Sequence, residues 1–143
     1  MKVEGSYTFD APRERVWSVL LNPDSLQSCL PGCESMSVTG EDQYEATMKV
    51  GVAAIRGTYK GKVRISDKQE PESYKLLVEG SGGPGFVRGE ALIELVDQGG
   101  TTQINVHGDG QVGGTVAGVG QRMLGGVAKM IMGQFFDCLK KQL

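Results

Sequence analysis

Residues 58–66 read TYKGKVRIS, and this stretch shows the pattern on which the fold prediction depends. Its apolar and cationic side chains alternate, with Tyr59, Val63 and Ile65 on one side and Lys60, Lys62 and Arg64 on the other. A period of two is typical of a strand that has one face in the core and one face in water. The stretch therefore predicts one strand of an antiparallel sheet.

The same period extends on both sides of this stretch, and no helical period interrupts it between Ser35 and Asp109. The predicted strands of this part are 35–39, 43–52, 58–66, 74–79, 86–96 and 101–108. Glycine-rich segments at 80–85 and 97–100 are typical of the turns between such strands. Residues 2–9 also alternate, so the sequence predicts seven strands.

Helical signals occur before and after this run of strands. Asp10 is the predicted N-cap of a first short helix, Asn22-Pro23 ends it, and residues 24–28 form a second. From residue 114 the apolar period changes to about 3.6, which predicts one long amphipathic helix over 114–139. Each of its glycines costs about 1 kcal/mol relative to alanine. Close packing on the sheet and space for a ligand are both compatible with that cost.

Length and charge limit the class of protein. The 143 residues predict a single domain over 1–143. Fifteen Lys and Arg stand against seventeen Asp and Glu, a net charge of -2 that does not predict a nucleic-acid partner. No apolar run approaches the roughly 18 residues of a transmembrane segment, and no signal peptide is visible at the start. We therefore expect a soluble, cytoplasmic protein.

The three cysteines, Cys29, Cys33 and Cys138, are expected to be reduced thiols, because their number is odd and the chain shows no export signal. Replacing all three is then expected to cost only some packing. A zinc site would need all of them together with the single histidine, His107. The sequence therefore predicts no metal site.

The order of elements predicts an α+β fold in which a long C-terminal helix crosses a curved antiparallel sheet of about seven strands and encloses an apolar cavity. Four stretches carry a resemblance that spans nearly the whole chain: Arg15-Val16-Trp17 with Asn22-Pro23, CLPGCE at 29–34, Val50-Gly51 with GTYKGKV at 57–63, and 108–136 with GQRM at 120–123. In these stretches the chain resembles the CoxG-like family, named for the G subunit of carbon monoxide dehydrogenase. The element order resembles the helix-grip fold of the START and Bet v 1-like (SRPBCC) superfamily.

The resemblance implies a non-enzymatic accessory protein of a molybdenum hydroxylase of the carbon monoxide dehydrogenase type. It implies a lipophilic ligand, a quinone or another lipid, and no covalent cofactor. It also implies recruitment or electron transfer at the membrane, through a peripheral contact at its inner face and without a transmembrane segment.

Seven residues are the candidate ligand-binding set: Leu30, Tyr59, Val63, Phe86, Met123, Val127 and Met130. They are predicted to form the apolar walls of the cavity, and the Tyr59 hydroxyl is predicted to orient a carbonyl oxygen of the ligand. Met123, Val127 and Met130 follow each other at steps of four and three, so they are predicted to face the sheet from one side of the helix.

Two alternatives remain open at this stage. An enzyme of the same fold would act on a polyketide or aromatic substrate and would need Glu90 or His107 inside the cavity. Both residues share strand faces with polar neighbours, which favours exposed positions, so no catalytic residue is predicted. An assembly factor with a filled core and no ligand is the second alternative.

Cys29 and Cys33 bracket a Pro-Gly turn, which is also the position of a redox couple. Small buried side chains are a better explanation for these two cysteines.

Overall fold

Seven strands and three α-helices account for most of the chain in the computed structural model, which describes residues 1–52 and 55–143. The strands are β1 (Lys2–Phe9), β2 (Cys33–Gly40), β3 (Gln43–Val50), β4 (Gly57–Gln69), β5 (Ser73–Gly82), β6 (Gly85–Asp97) and β7 (Thr102–Gly113). The α-helices are α1 (Arg13–Leu20), α2 (Pro23–Cys29) and α3 (Gln121–Lys140), and a 3-10 helix covers Gly114–Val119. The strands pair antiparallel in one sheet of order β1-β7-β6-β5-β4-β3-β2. This is the predicted α+β architecture.

All seven predicted strands are present, and most of them are longer than predicted. β1 has the predicted bounds, and β3 is shorter than predicted because it ends at Val50 instead of 52. One difference concerns the type of structure at 80–85, which was expected to be a turn. Residues 80–82 instead continue β5 and pair with β4 and β6, so only Gly83 and Pro84 remain between the two strands. Because glycine is common in turns, a glycine-rich segment is predicted to be a turn even where it lies inside a sheet.

The helix starts differ in how they are capped. The side chain of Asn22 accepts a hydrogen bond from the Asp24 amide at 2.9 Å and caps α2, which covers Pro23–Cys29 where 24–28 was predicted. The prediction that Asp10 caps α1 is wrong. Pro12 occupies the N-cap position in an extended conformation and makes no side-chain cap. Because a cap must directly precede the first helical residue, Asp10 is too far from Arg13 to act as one.

The prediction of one continuous helix over 114–139 is also wrong. The segment divides into the 3-10 helix and α3, and Gly120 separates them with a φ of +94°. A left-handed backbone is inexpensive only for glycine, so this residue ends one helix and allows α3 to begin in a new direction. The 3.6-residue period continues across the break and therefore does not reveal it.

The hydrophobic core consists of two clusters at opposite ends of the strands. The larger one contains Phe9, Ile104 and Leu139, all at most 1% exposed, and Phe136 stacks on Tyr7 with ring centroids 4.3 Å apart. The smaller one contains Ile55, Tyr59, Val116 and Leu124. The C-terminal half of α3 packs on the first cluster and its N-terminal half on the second. The helix is therefore held at both ends of the sheet.

A disulfide joins Cys29 at the end of α2 to Cys138 in α3, with the Cα atoms 5.3 Å apart. The expectation of three reduced thiols is wrong for this pair, and Cys33 is the free cysteine. Helix packing brings the two residues together across a sequence separation of 109. No local spacing motif therefore signals the bond. Next to it, the Gln142 side chain donates to the Ser28 hydroxyl at 3.0 Å.

We predict that the double replacement Cys29→Ala and Cys138→Ala lowers the free energy of unfolding by about 2 to 5 kcal/mol, because the bond closes a long loop of the unfolded chain. Denaturant unfolding under oxidising conditions measures this loss. Cys33→Ala is the matched control and should change stability by less than about 1 kcal/mol. Equal losses in the two variants would contradict the assignment.

Candidate functional site

The concave face of the sheet is apolar across the six strands from β1 to β3 among the described residues. On β6 the inward-facing residues are Val87, Gly89, Ala91, Ile93 and Leu95, and β1, β3, β4, β5 and β7 likewise present only apolar, glycine, tyrosine or threonine residues to this side. Charged side chains occupy the alternate, outward positions, as in Arg88 and Glu90. A ligand on the concave face would meet hydrocarbon and peptide groups without a formal charge.

Glycines face each other across the middle of this concave surface. Gly61 lies opposite Gly80 in the β4–β5 pair, and Gly89 lies opposite Gly110 in the β6–β7 pair. Two residues further along the same pair of strands, Gly108 lies opposite Ala91. These five glycines form what we call the glycine trough. It crosses four adjacent strands between the two hydrophobic clusters.

No part of α3 fills the glycine trough. A Cβ atom built at Gly61, Gly80, Gly89 or Gly110 would meet only backbone atoms of the sheet itself, at 3.4 Å or more. Beside the trough, Leu76 and Val78 lie on the inner side of the central strand and are only half-buried. Among the strands, α3 packs most closely against β1, at the edge. α3 therefore makes no close contact with the middle of the sheet at these glycines.

The glycines of α3 have open space at their Cβ positions. A Cβ atom built at Gly125 or Gly133 would have no atom within 4 Å apart from the adjoining turns of the helix. Gly133 is nine residues after the buried Leu124 and therefore on the opposite side of the helix, so the space at this position lies away from the sheet. Close packing against the sheet is not observed at these two positions, and space for a ligand stays a prediction.

The Tyr59 hydroxyl is already used within the protein. It donates a hydrogen bond to the Ile55 carbonyl at 2.7 Å, and burial raises the pKa of the phenol. The phenol therefore keeps its proton, and the proton is directed at a backbone carbonyl. The predicted role of Tyr59 in donating to a ligand carbonyl is not supported by this geometry, whereas its ring does lie on the concave face in the smaller cluster.

Three of the candidate binding residues do not lie where the sequence placed them. Phe86 is on the convex face of β6, 49% exposed, next to Gly113. Met123 and Met130 are 52% and 46% exposed on the outer side of α3. The predicted orientation is wrong because the stripe through Leu124, Phe135 and Leu139 faces the sheet instead, about 100° around the helix from Met123.

The other candidates lie nearer to the expected place. Val63 is on the concave face and packs against the larger cluster, and Val127 packs against the smaller one. Leu30 follows α2 and is partly buried. Their contact with a ligand stays a prediction. Leu76, Val78 and the trough glycines were not among the predicted site residues, although the alternation along β4, β5, β6 and β7 contained the signal for them.

The turn between α2 and β2 depends on one glycine. Gly32 has a φ of +77°, its carbonyl accepts from the Lys49 amide at 2.8 Å, and a Cβ atom there would collide with the Lys49 carbonyl. Only glycine meets both conditions. Within the CLPGCE stretch, Gly32 thus holds the Pro-Gly turn on β3, next to a surface groove of about 610 Å³ that Cys33 and Arg56 also line.

The two candidate acid-base residues, Glu90 and His107, are placed away from the trough. Glu90 is exposed on the convex face, and so is His107, whose Nε2 lies 3.4 Å from a Glu94 carboxylate oxygen. Burial raises the pKa of the Cys33 thiol, which donates to the Ser35 carbonyl, so this thiol is a weak nucleophile at neutral pH. Within residues 1–52 and 55–143, no three His, Cys, Asp or Glu side chains converge on a point that suits a metal ion.

Comparison with known proteins identifies the family and the fold. The family model for CoxG, described as the G subunit of carbon monoxide dehydrogenase, matches residues 5–143. The chain belongs to the CoxG family. No curated protein matches the sequence. Among the described helices of this CoxG-family chain, none is both long enough and apolar enough to cross a bilayer.

Solved structures share the fold over the whole CoxG-family chain. A conserved protein from Geobacillus kaustophilus is 42% identical, with a TM-score of 0.96 over 99% of this chain and 94% of its own. A START superfamily protein from Mycobacterium smegmatis is 15% identical, with a TM-score of 0.75 over 99% of this chain and 95% of its own. The Mll3558 protein from Rhizobium loti is 14% identical, with a TM-score of 0.77 over 100% of this chain and 96% of its own. The fold is the helix-grip fold.

An arginine substitution is expected to affect stability differently on the two sides of α3. Met123→Arg should leave the thermal midpoint within about 2 °C of the parent, because the new side chain enters water. Leu124→Arg should destabilise the domain by more than about 3 kcal/mol, because it buries a charge without a partner in the smaller cluster. Thermal and denaturant unfolding of both variants measure this. An unfolded Met123→Arg variant would show that α3 is rotated from the described orientation.

Proposed function

We propose that this chain is a non-enzymatic accessory protein that holds a lipophilic ligand, a quinone or another lipid, between the glycine trough and α3. The single observation that supports this is the uncovered centre of an otherwise closed, charge-free concave face. Apolar surface that no side chain covers remains in contact with water at a cost of roughly 25 cal/mol per Å². An apolar ligand in the trough removes that cost.

The shape of the trough limits how such a ligand binds. Paired glycines expose flat peptide backbone instead of side chains, and Leu76 and Val78 border it with branched hydrocarbon. Neither a carboxylate nor a cation lies on this face among the described residues. A charged ligand would lose its hydration there without gaining a partner, so a neutral ring or an acyl chain is favoured.

We further propose that the protein serves a molybdenum hydroxylase of the carbon monoxide dehydrogenase type, in recruitment or electron transfer at the inner face of the membrane. Membership of the CoxG family supports this association, since the family is described as a subunit of carbon monoxide dehydrogenase. A bound quinone would serve as the electron carrier in such an assembly. The lipophilic pocket and the redox partner then belong to one function.

The enzyme alternative has less support from the geometry. It requires Glu90 or His107 as an acid or base next to the substrate, and both are on the face of the sheet opposite the trough. Proton transfer needs a heavy-atom separation of about 3 Å, which no side-chain rotation across a sheet provides. The assembly-factor alternative leaves the open trough without a use.

The first test of this proposal is a substitution that places a side chain in the glycine trough. Gly80→Val should keep the thermal midpoint near that of the parent, because its Cβ meets only the Lys60 carbonyl, at 4.0 Å, and valine favours strands. It should weaken binding of a short-chain quinone by tenfold or more, measured by titration calorimetry. Ser81→Val, the next residue on the convex face, is the matched control and should bind like the parent.

Organic extracts of the purified parent protein, examined by mass spectrometry, give the second measurement. We expect a quinone or lipid in the extract of the parent and of Ser81→Val, and much less in that of Gly80→Val. A folded Gly80→Val protein that binds like the parent would place the ligand elsewhere. A parent protein that yields no ligand and binds no quinone would favour the assembly factor.

A further inference from the structure

The sheet has an open edge at β2. In the strand order β1-β7-β6-β5-β4-β3-β2, this strand has β3 on one side and no strand of the described chain on the other. Five of its eight residues are exposed, so solvent reaches most of its length. Alternate residues of an edge strand direct their N–H and C=O groups away from the sheet, where another extended chain can pair with them. The other edge, β1, differs because α3 packs against it.

The middle of β2 lacks the features that usually protect an edge strand. Residues 33–40 read CESMSVTG, without lysine or proline, and the one charged residue, Glu34, stands near the start. The register shifts of β2 lie near its two ends, so residues 35–38 pair regularly with β3. Within this stretch Val38 is 62% exposed, more than any other large apolar residue of the described chain. The centre of the edge is therefore suited to pairing with a further strand.

Positive charge lies at the start of β2. The groove beside the Pro-Gly turn is lined there by Cys33 and Glu34, and across it by Lys49 and Arg56. Both cations are exposed, and neither makes an ion pair within the described residues. Two cations against one carboxylate leave this groove with a net positive charge.

A carboxylate lies at the opposite end of the strand. Glu41 and Asp42 form the turn from β2 to β3, and Asp42 is paired with Lys68 at 2.7 Å. Glu41 is exposed and makes no ion pair in the described part of the chain. Within one copy, Glu41 and Lys49 are near opposite ends of β3, roughly 20 Å apart at about 3.3 Å per residue. They are too far apart to pair with each other.

We propose that two copies of this chain pair antiparallel through their β2 strands and form one continuous sheet. Opposite side chains of an antiparallel pair lie on the same face, so the two-fold axis has to pass through one residue of the strand. With Ser37 on the axis, Met36 lies opposite Val38 of the second copy, on the concave side of both sheets. Each copy thereby covers the exposed Val38 of the other.

The same register brings opposite charges together. With Ser37 on the axis, Glu41 of one copy lies beside the start of β2 in the second copy, where Lys49 and Arg56 line the groove. The two-fold axis repeats this contact at the other end of the strand pair. This charge complementarity favours a second copy over an unrelated strand, since one sequence supplies both charges. The glycine trough lies on other strands, so the inference does not depend on the proposed function.

Analytical ultracentrifugation of the full chain measures the association. A single strand pair makes a small interface, so the average mass should rise from monomer toward dimer over about 10 µM to 1 mM. Val38→Lys should weaken association tenfold or more while the thermal midpoint stays near that of the parent, because the side chain is exposed. Val96→Lys changes an exposed valine of β6 in the same way. It is the matched control and should associate like the parent.

Charge reversal tests the contact between the two copies. Glu41→Lys and Lys49→Glu should each weaken association, because each places like charges together at both ends of the strand pair. The double variant should restore it, because each copy then offers the reversed charge to the other. A structural effect confined to one copy would instead accumulate in the double variant.

A cysteine crosslink tests the register. In a Cys33→Ala background, Ser37→Cys should form a disulfide between copies on oxidation, because Cα atoms opposite each other in an antiparallel pair are about 4.5 to 5.5 Å apart. Ser35→Cys is the matched control and should not, because in this register its Cα lies more than about 12 Å from its own counterpart.

Four results would overturn the inference. They are a monomer at every concentration, equal effects of the two valine substitutions, a double charge variant that associates no better than either single one, and equal crosslinking at the two serine positions. A parent chain that stays monomeric and instead binds an extended peptide along β2 would overturn it as well. If Val38→Lys fails to fold, the crosslinking pair still decides, since both serine positions are exposed on the same strand.

Discussion

The packing of α3 at both ends of the sheet, and not along its middle, is the constraint from which the other features of the structure follow. Phe136 and Leu139 pack against Phe9 and Ile104 at one end, and Leu124 packs against Tyr59 at the other. A disulfide from Cys138 to α2 reinforces the first of these contacts. Between these two ends, the glycines of the trough are within 4 Å of no side chain of α3.

Glycine has two separate uses in this chain. In the trough, Gly61, Gly80, Gly89 and Gly110 lie in regular strands, and what matters is the side chain that they lack. At Gly32 and Gly120 the backbone is left-handed, and what matters is the conformation. The trough glycines lower the stability of the sheet. Glycine has no side chain that packs, and it loses more conformational freedom on folding than any other residue. A site for an apolar ligand is a physical reason for accepting that cost.

The sequence predicts much of the fold and less of the site. Alternation along 58–66 and its neighbours is strong enough to identify every strand, because one face of each strand is in water. The side of the helix that meets the sheet was assigned wrongly, since the apolar residues of α3 cover more than half of its circumference and periodicity alone does not select among them. Phe86 was assigned to the cavity by hydrophobicity, although the parity of β6 places it with Arg88 and Glu90 on the outside.

The sequence by itself determined the seven strands, the apolar character of one sheet face and the family, since each of these is a local pattern. The tertiary structure alone decided three things. Strand register placed Gly61 opposite Gly80 and Gly89 opposite Gly110, helix packing brought Cys29 to Cys138, and the direction of α3 after Gly120 turned Met123 outward. Each of these joins residues that are distant along the chain, and their relation depends on how elements pack, which periodicity within one element does not encode.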